Sequence, residues 1–101
     1  MIEYLISNLS KEGFRIGTIK HIHDAGFSID AKGKDTWRHA RAGAKIVVGA
    51  APRELAIIRK KETSENDLEG IVDLIEDEKL DLLIIEGFRS VVSQRKDIFK
   101  I

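Results

Sequence analysis

Lys20 and His21 close one short apolar run, and Glu86 closes another, Leu82 to Ile85, immediately before Gly87. A lysine ammonium acts as a point charge for anions, and a neutral imidazole can donate or accept a hydrogen bond, so the first pair suits a phosphate at a strand exit. A hydrophobic strand ended by an acid and a glycine is the layout with which nucleotide-binding α/β proteins hold Mg²⁺ beside phosphates. The plain alternative, a buried strand with a solvated end and a turn, stays open for both. His23, Asp24 and Asp30 follow the first run, and Lys34, Asp35 and Arg38 begin the next periodic segment. Lys34, Arg38 and Arg41 fall at helical offsets that line one side of a helix, fit for phosphate or an acidic partner, or for a solvated stripe balanced by Asp35. His21-Ile22-His23-Asp24 also resembles a ligand set for Zn²⁺ or another divalent ion. Trp37 fits a core or interface anchor better than a base-stacking platform. No Ser-His-Asp order and no paired-carboxylate pattern argues for hydrolysis.

These residues need a frame. Ile2, Leu5, Ile6 and Leu9 repeat at helical spacing and Gly13 supplies a stop, so residues 1–12 are predicted to be helix. Residues 14–21 read as a strand that delivers Lys20 and His21 to its carboxyl end, and 22–33 as a loop. Asp35 is expected to cap a helix over 36–44 with Trp37, Ala40 and Ala44 on its inner side. Two strands, 45–50 and 54–60, flank Pro52. Asn66 with Glu69 imitates a capping box before a helix carrying Leu68, Ile71, Val72 and Ile75. The unbroken run from Leu82 to Ile85 predicts a strand buried on both faces, as in parallel sheets. Residues 89–101 have no clean period and receive no element. The order is an α/β alternation that begins on a helix, as though an opening strand were absent.

A chain of 101 residues predicts a single domain with one modest core. Its 17 basic and 17 acidic residues cancel, which weighs against nucleic acid or an anionic membrane as partner. Lack of cysteine removes disulfides, thiolate zinc sites and thiol catalysis, and fits a reducing compartment. Neither a signal peptide nor a membrane span is expected, and the reading is a cytoplasmic protein.

Together, Gly17-Thr18-Ile19-Lys20-His21, the acidic loop with Asp30, Gly33-Lys34-Asp35-Thr36-Trp37-Arg38-His39, Ala42-Gly43-Ala44 and Asp81 through Glu86-Gly87-Phe88 resemble the MobB family, the molybdopterin-guanine dinucleotide biosynthesis proteins B, over residues 2–89. The resemblance implies a three-layer P-loop NTPase-like fold, a mostly parallel sheet flanked by helices. It also implies GTP and Mg²⁺ as cofactors, molybdopterin as a possible ligand, frequent dimers, and an adaptor role beside MobA, the guanylyltransferase that joins a guanine nucleotide to molybdopterin, and beside molybdoenzyme maturation proteins. By that resemblance Glu86 would stand near Mg²⁺, and Lys20, His21, Asp30, Lys34, Asp35 and Arg38 would line the cofactor pocket. No catalytic residue is implied, and any GTPase activity would be weak. The family opens with a strand and a G-x-x-x-x-G-K-[ST] loop whose backbone N–H groups cradle phosphate, and no such loop occurs in this sequence. The sheet is therefore expected to be N-terminally incomplete, with strand edges left unpaired in its interior, and the 89–101 tail departs from the family as well. The alternative reading is a P-loop-less, non-enzymatic module of the same pathway that binds partners through the surface from His21 to Arg41.

Overall fold

The computed structural model describes residues 2–88 and 98–100. They form α1 (Ile2–Lys11), β1 (Ile16–Lys20), α2 (Asp35–Arg41), β2 (Ile46–Ala51), β3 (Glu54–Arg59), α3 (Leu68–Leu74), β4 (Leu82–Glu86) and β5 (Ile98–Lys100), with 3₁₀ turns at Glu65–Asp67 and Glu76–Glu78. The architecture is α/β, a parallel sheet flanked by helices. The chain divides into two compact units, residues 1–23 with 63–101, and residues 24–62.

In the first unit three parallel strands lie in the order β1-β4-β5. The apolar run of β4 takes the centre, where Leu83, Ile84 and Ile85 are all buried, because a strand with partners on both sides and cover on both faces needs an unbroken hydrophobic sequence. Leu83 and Ile85 face one way and pack with Leu68 and Val72 of α3 and with Phe88; Ile19, Ile71, Ile75 and Leu80 close the cluster. Alternation along the strand turns Ile84 to the opposite face. At the amino end of the strand pair a polar clasp sets the register. The Arg15 backbone N–H donates to Asp81 Oδ2 (2.8 Å), the backbone N–H groups of Asp81 and Leu82 donate back to the Arg15 carbonyl (2.8 and 3.2 Å), and the Arg15 guanidinium donates to the Glu78 carbonyl (2.8 Å). From there Ile16 stands opposite Leu82 and Lys20 opposite Glu86.

In the second unit β2 and β3 pair antiparallel from Ile46↔Arg59 to Ala51↔Glu54, so that Pro52 and Arg53 alone make the turn. Proline fixes φ near the value that the first corner of a tight turn needs. The helix α2 packs on β2, and Val47 is buried between them. The opposite face of the hairpin carries Ile46, Val48, Leu55 and Ile57, each 48–66% exposed.

Several expectations are corrected. Asp35 does not cap α2: Lys34 occupies the cap position without a side-chain bond, and Asp35 sits in the first turn, where a carboxylate favours the positive end of the helix dipole. The capping box is formed by Ser64 and Asp67, two residues before the predicted one; Ser64 Oγ accepts the Asn66 N–H and Asp67 accepts the Ser64 N–H, so the helical segment starts as a 3₁₀ turn. Residues 98–100, assigned no element from sequence, are a strand. This β5 hydrogen-bonds to β4 on the side away from β1, so β4 has a partner on both sides. The rest of the 89–101 stretch lies outside the described residues.

Replacing Ile85, wholly buried in the first core, by alanine is expected to cost about 2–5 kcal/mol. Ile57→Ala on the exposed hairpin face should cost less than about 1 kcal/mol. Urea midpoints at an unchanged denaturant slope would measure both.

Candidate functional site

The parallel register brings Lys20 and Glu86 to the same level at the carboxyl ends of two adjacent strands, with Lys20 Nζ 3.7 Å from Glu86 Oε1. The pairing continues one residue further, as the His21 N–H donates to the Glu86 carbonyl (2.9 Å). After Glu86 the chain turns through two left-handed residues, Gly87 (φ +93°) and Phe88 (φ +53°). Gly87 is required twice over: it adopts that φ without strain, and a Cβ there would lie 2.7 Å from His21 Cβ. The turn sends Phe88 into the core, where its ring lies 4.8 Å from the His21 imidazole; His23 in turn meets His21 edge to face at 4.3 Å.

This rim can serve a metal–phosphate group. Mg²⁺ is commonly held by one or two carboxylates, with waters and substrate phosphates completing its octahedron, and Glu86, 44% exposed, can offer such a carboxylate. Lys20, 65% exposed, supplies a cation for phosphate. An ion pair so open to water contributes at most about 1 kcal/mol, so either partner can exchange the other for a ligand at little cost. No cluster of three or more metal-ligating side chains forms among the described residues.

Asp30, Lys34, Asp35 and Arg38 all belong to the second unit. Arg38 is tied into its own corner, donating to the Gly33 carbonyl (3.0 Å) and pairing with Asp35. It holds the turn made by Gly33 (φ +94°) against the start of α2. Asp30 and Lys34 line a depression of about 290 Å³ whose other walls are Thr36, Val47, Gly49, Ala50, Ala51, Glu54, Ala56 and Ile58. Asp30 Oδ1 accepts the Ala31 N–H (3.0 Å), while Oδ2 is buried without a partner among the described residues. Trp37 is half-buried, with the Arg41 guanidinium 5.3 Å above its ring, a cation–π contact on the same helix.

Of the seven residues read from sequence, Lys20, His21 and Glu86 therefore meet at one strand rim, Asp30 and Lys34 share a cavity, and Asp35 and Arg38 engage each other. Sequence reasoning missed Phe88 and the hairpin wall. The aromatic directly after Glu86-Gly87 was a usable signal for the first, whereas Gly49, Glu54 and Ala56 become neighbours of Asp30 only once the hairpin has formed.

Over residues 1–101 the sequence matches the family described as molybdopterin guanine dinucleotide synthesis protein B, MobB. The chain belongs to the MobB family. It is 36% identical over 94 residues to the putative molybdopterin-guanine dinucleotide biosynthesis adapter protein of Methanocaldococcus jannaschii, covering 93% of this chain and 37% of that protein. Against the Escherichia coli molybdopterin-guanine dinucleotide biosynthesis adapter protein it is 32% identical over 90 residues, covering 88% of this chain and 51% of the other. The chain thus spans about half, or less, of the length of these relatives. The crystal structure of Bacillus subtilis MobB superposes with a TM-score of 0.72 at 23% identity, over 99% of this chain and 67% of that one. A crystal structure of molybdopterin-guanine biosynthesis protein B matches with a TM-score of 0.61 at 27% identity, over 93% of this chain and 56% of that one. These likenesses carry the P-loop NTPase-like α/β fold.

Gly87→Ala in this MobB-family chain should destabilise by about 1–3 kcal/mol, from the left-handed φ together with the clash on His21. Lys20→Met should change stability by less than about 1 kcal/mol. Thermal melts of the two variants would check the contrast.

Proposed function

We propose that this chain works as an adapter in molybdopterin guanine dinucleotide synthesis, binding GTP with Mg²⁺ at the carboxyl ends of β1 and β4 for use by a guanylyltransferase of the MobA type. Family membership and the adapter names of the relatives support the pathway. One observation supports the site: an exposed lysine and an exposed glutamate on adjacent parallel strands, 3.7 Å apart at the end of the sheet where α/β proteins bind their ligands. Glu86 would take Mg²⁺ among its ligands and Lys20 would turn to phosphate. The metal supplies charge neutralisation when bound. The proposal gives the chain no catalytic residue; its work is to hold and present, in the cytoplasm.

Millimolar GTP with Mg²⁺ should raise the melting temperature of the chain, since a ligand that binds only the folded state stabilises it by about 2.7 kcal/mol at a hundredfold excess over its dissociation constant. GTP with a chelator should give a smaller rise, and Glu86→Gln should lose the Mg²⁺-dependent part. A melting temperature indifferent to GTP and Mg²⁺ would remove nucleotide from the proposal.

The homodimer that the resemblance implies has a candidate surface in the outer face of the hairpin, where Ile46, Val48, Leu55 and Ile57 are exposed. A second copy of the chain is the occupant proposed there. On sedimentation the wild-type chain should run as a dimer and Ile57→Glu as a folded monomer; a wild-type monomer would dismiss the homodimer.

A further inference from the structure

We infer that the open end of the hairpin, where Lys45 and Lys60 meet the carboxyl end of α2 at Arg41, is a docking surface for an acidic segment of a partner protein. Charge that cancels over the whole chain is segregated within it: residues 24–62 hold nine basic against five acidic residues, and the remainder eight against twelve. Much of the excess collects at this end. Ile46 stands opposite Arg59, and one step further the Lys60 N–H donates to the Lys45 carbonyl (2.9 Å), so two lysines face each other across the strand pair. Alternation puts both on the side of Val47 and Ile58, against which α2 packs, and only Ala42, Gly43 and Ala44 separate Lys45 from Arg41. Arg59 and Lys61 flank Lys60 in the chain and widen the patch. All five cations are exposed, and none pairs with an acid among the described residues.

Arg41 has a local reason to be there. It lies over Trp37 in the last turn of α2, where positive charge suits the helix dipole. Lys45 and Lys60 have no such reason, because like charges directly opposite each other weaken a strand pair. Sequences break a local rule of this kind mainly where function requires it, and a carboxylate laid across the two lysines would relieve their repulsion. The class of partner follows from the surroundings. None of these cations lines the depression, so a small anion would be held on an open surface against full competition from water. Nucleic-acid affinity grows with the number of phosphates neutralised, commonly about six to ten, and the acidic remainder of the chain repels a long polyanion. A short run of Asp and Glu can span the patch without reaching further. The inference deepens the adapter reading above by naming the chemistry of a partner, and nothing in it needs GTP, Mg²⁺ or the outer face of the hairpin.

Titration of the full chain with fluorescein-labelled hexaglutamate, followed by anisotropy and by amide NMR, tests the surface, with an oligothymidylate of equal length and inorganic phosphate as rival anions. Binding of the peptide at about 10 mM salt, with shifts concentrated at Arg41, Lys45 and Lys60, and weaker binding at about 150 mM, where charges are screened beyond about 8 Å, supports it. Lys60→Glu should weaken the peptide by at least about threefold. It should do so without lowering the melting temperature, since a like-charge pair becomes an opposite one. Lys45→Glu should behave alike and serves should the first variant fold poorly. Lys11→Glu makes the same change of charge on α1 and should leave peptide binding unchanged. The assignment is overturned by absence of peptide binding at low salt, by shifts centred elsewhere, by tighter binding of oligothymidylate or phosphate, or by an equal loss in Lys11→Glu. A lower melting temperature in both Lys60→Glu and Lys45→Glu would also overturn it, giving the lysines a structural role. A melting temperature indifferent to GTP, with the peptide still bound, would strike the nucleotide proposal and leave this one standing.

Discussion

Lys20 meets Glu86 because two strands run parallel in a register fixed at their far end. Arg15 and Asp81 exchange backbone and carboxylate hydrogen bonds there, and each following residue keeps step through to the last pair. Side chains alternate across a strand with a period of two, so a slip of one residue would turn Leu83 and Ile85 out of the α3 core and point Glu86 to the other face. Burial of the apolar set and placement of the charged pair are therefore one constraint: the hydrophobic energy that selects the register also selects which polar groups share the rim.

The turn that follows is bound to the same core. Phe88 adopts a left-handed backbone that costs a β-carbon-bearing residue about 1–2 kcal/mol, and it is held there by a ring buried at 2% exposure among Leu68, Val72, Leu83 and Ile85. Burying an aromatic ring is worth more than that penalty. With Phe88 anchored and Gly87 close against His21, the backbone around Glu86 has little freedom, while the Glu86 side chain remains open to water. A rigid backbone carrying an exposed carboxylate suits a group that must exchange a lysine partner for a ligand.

How far this was legible in the sequence follows from which forces are local. Continuity of Leu82 to Ile85, the stripe of α1 and the glycine after Glu86 are statements about neighbours in the chain, and the elements they predict are present. The MobB resemblance, carried by ordered motifs, is upheld by the family match. The cap of α2 was misassigned because Asp35, the nearest capping type, lies one residue inside the helix, and the box before α3 because Ser64, Asn66 and Asp67 crowd that start and only the backbone decides which side chain reaches an N–H. The strand at 98–100 had no periodic signal, since three residues are too few to display one; its pairing with β4 is a long-range event. At the site, Lys20 and Glu86 could be nominated separately from strand ends, but their adjacency depends on register across more than sixty intervening residues, and the wall facing Asp30 depends on the hairpin.

The two units differ in how they are held, and that difference bears on function. The sheet unit buries a contiguous cluster of leucine, isoleucine, valine and phenylalanine, whereas in the second unit Val47 is the one buried hydrophobic among the described residues. Small residues at Gly49, Ala51 and Ala56 leave space between Val47 and Ile58 on the inner face of the hairpin, and Ile46, Val48, Leu55 and Ile57 lie exposed on the outer one. An isolated two-stranded hairpin is marginal in water, and one helix packed on it adds only modest burial. Regions with few buried apolar contacts sit at the low end of local stability, and whatever binds their folded form stabilises them by mass action. The second unit is thus the part of the chain whose stability has most to gain from a bound partner, because a surface laid on the outer face of its hairpin would supply burial that its own sequence does not.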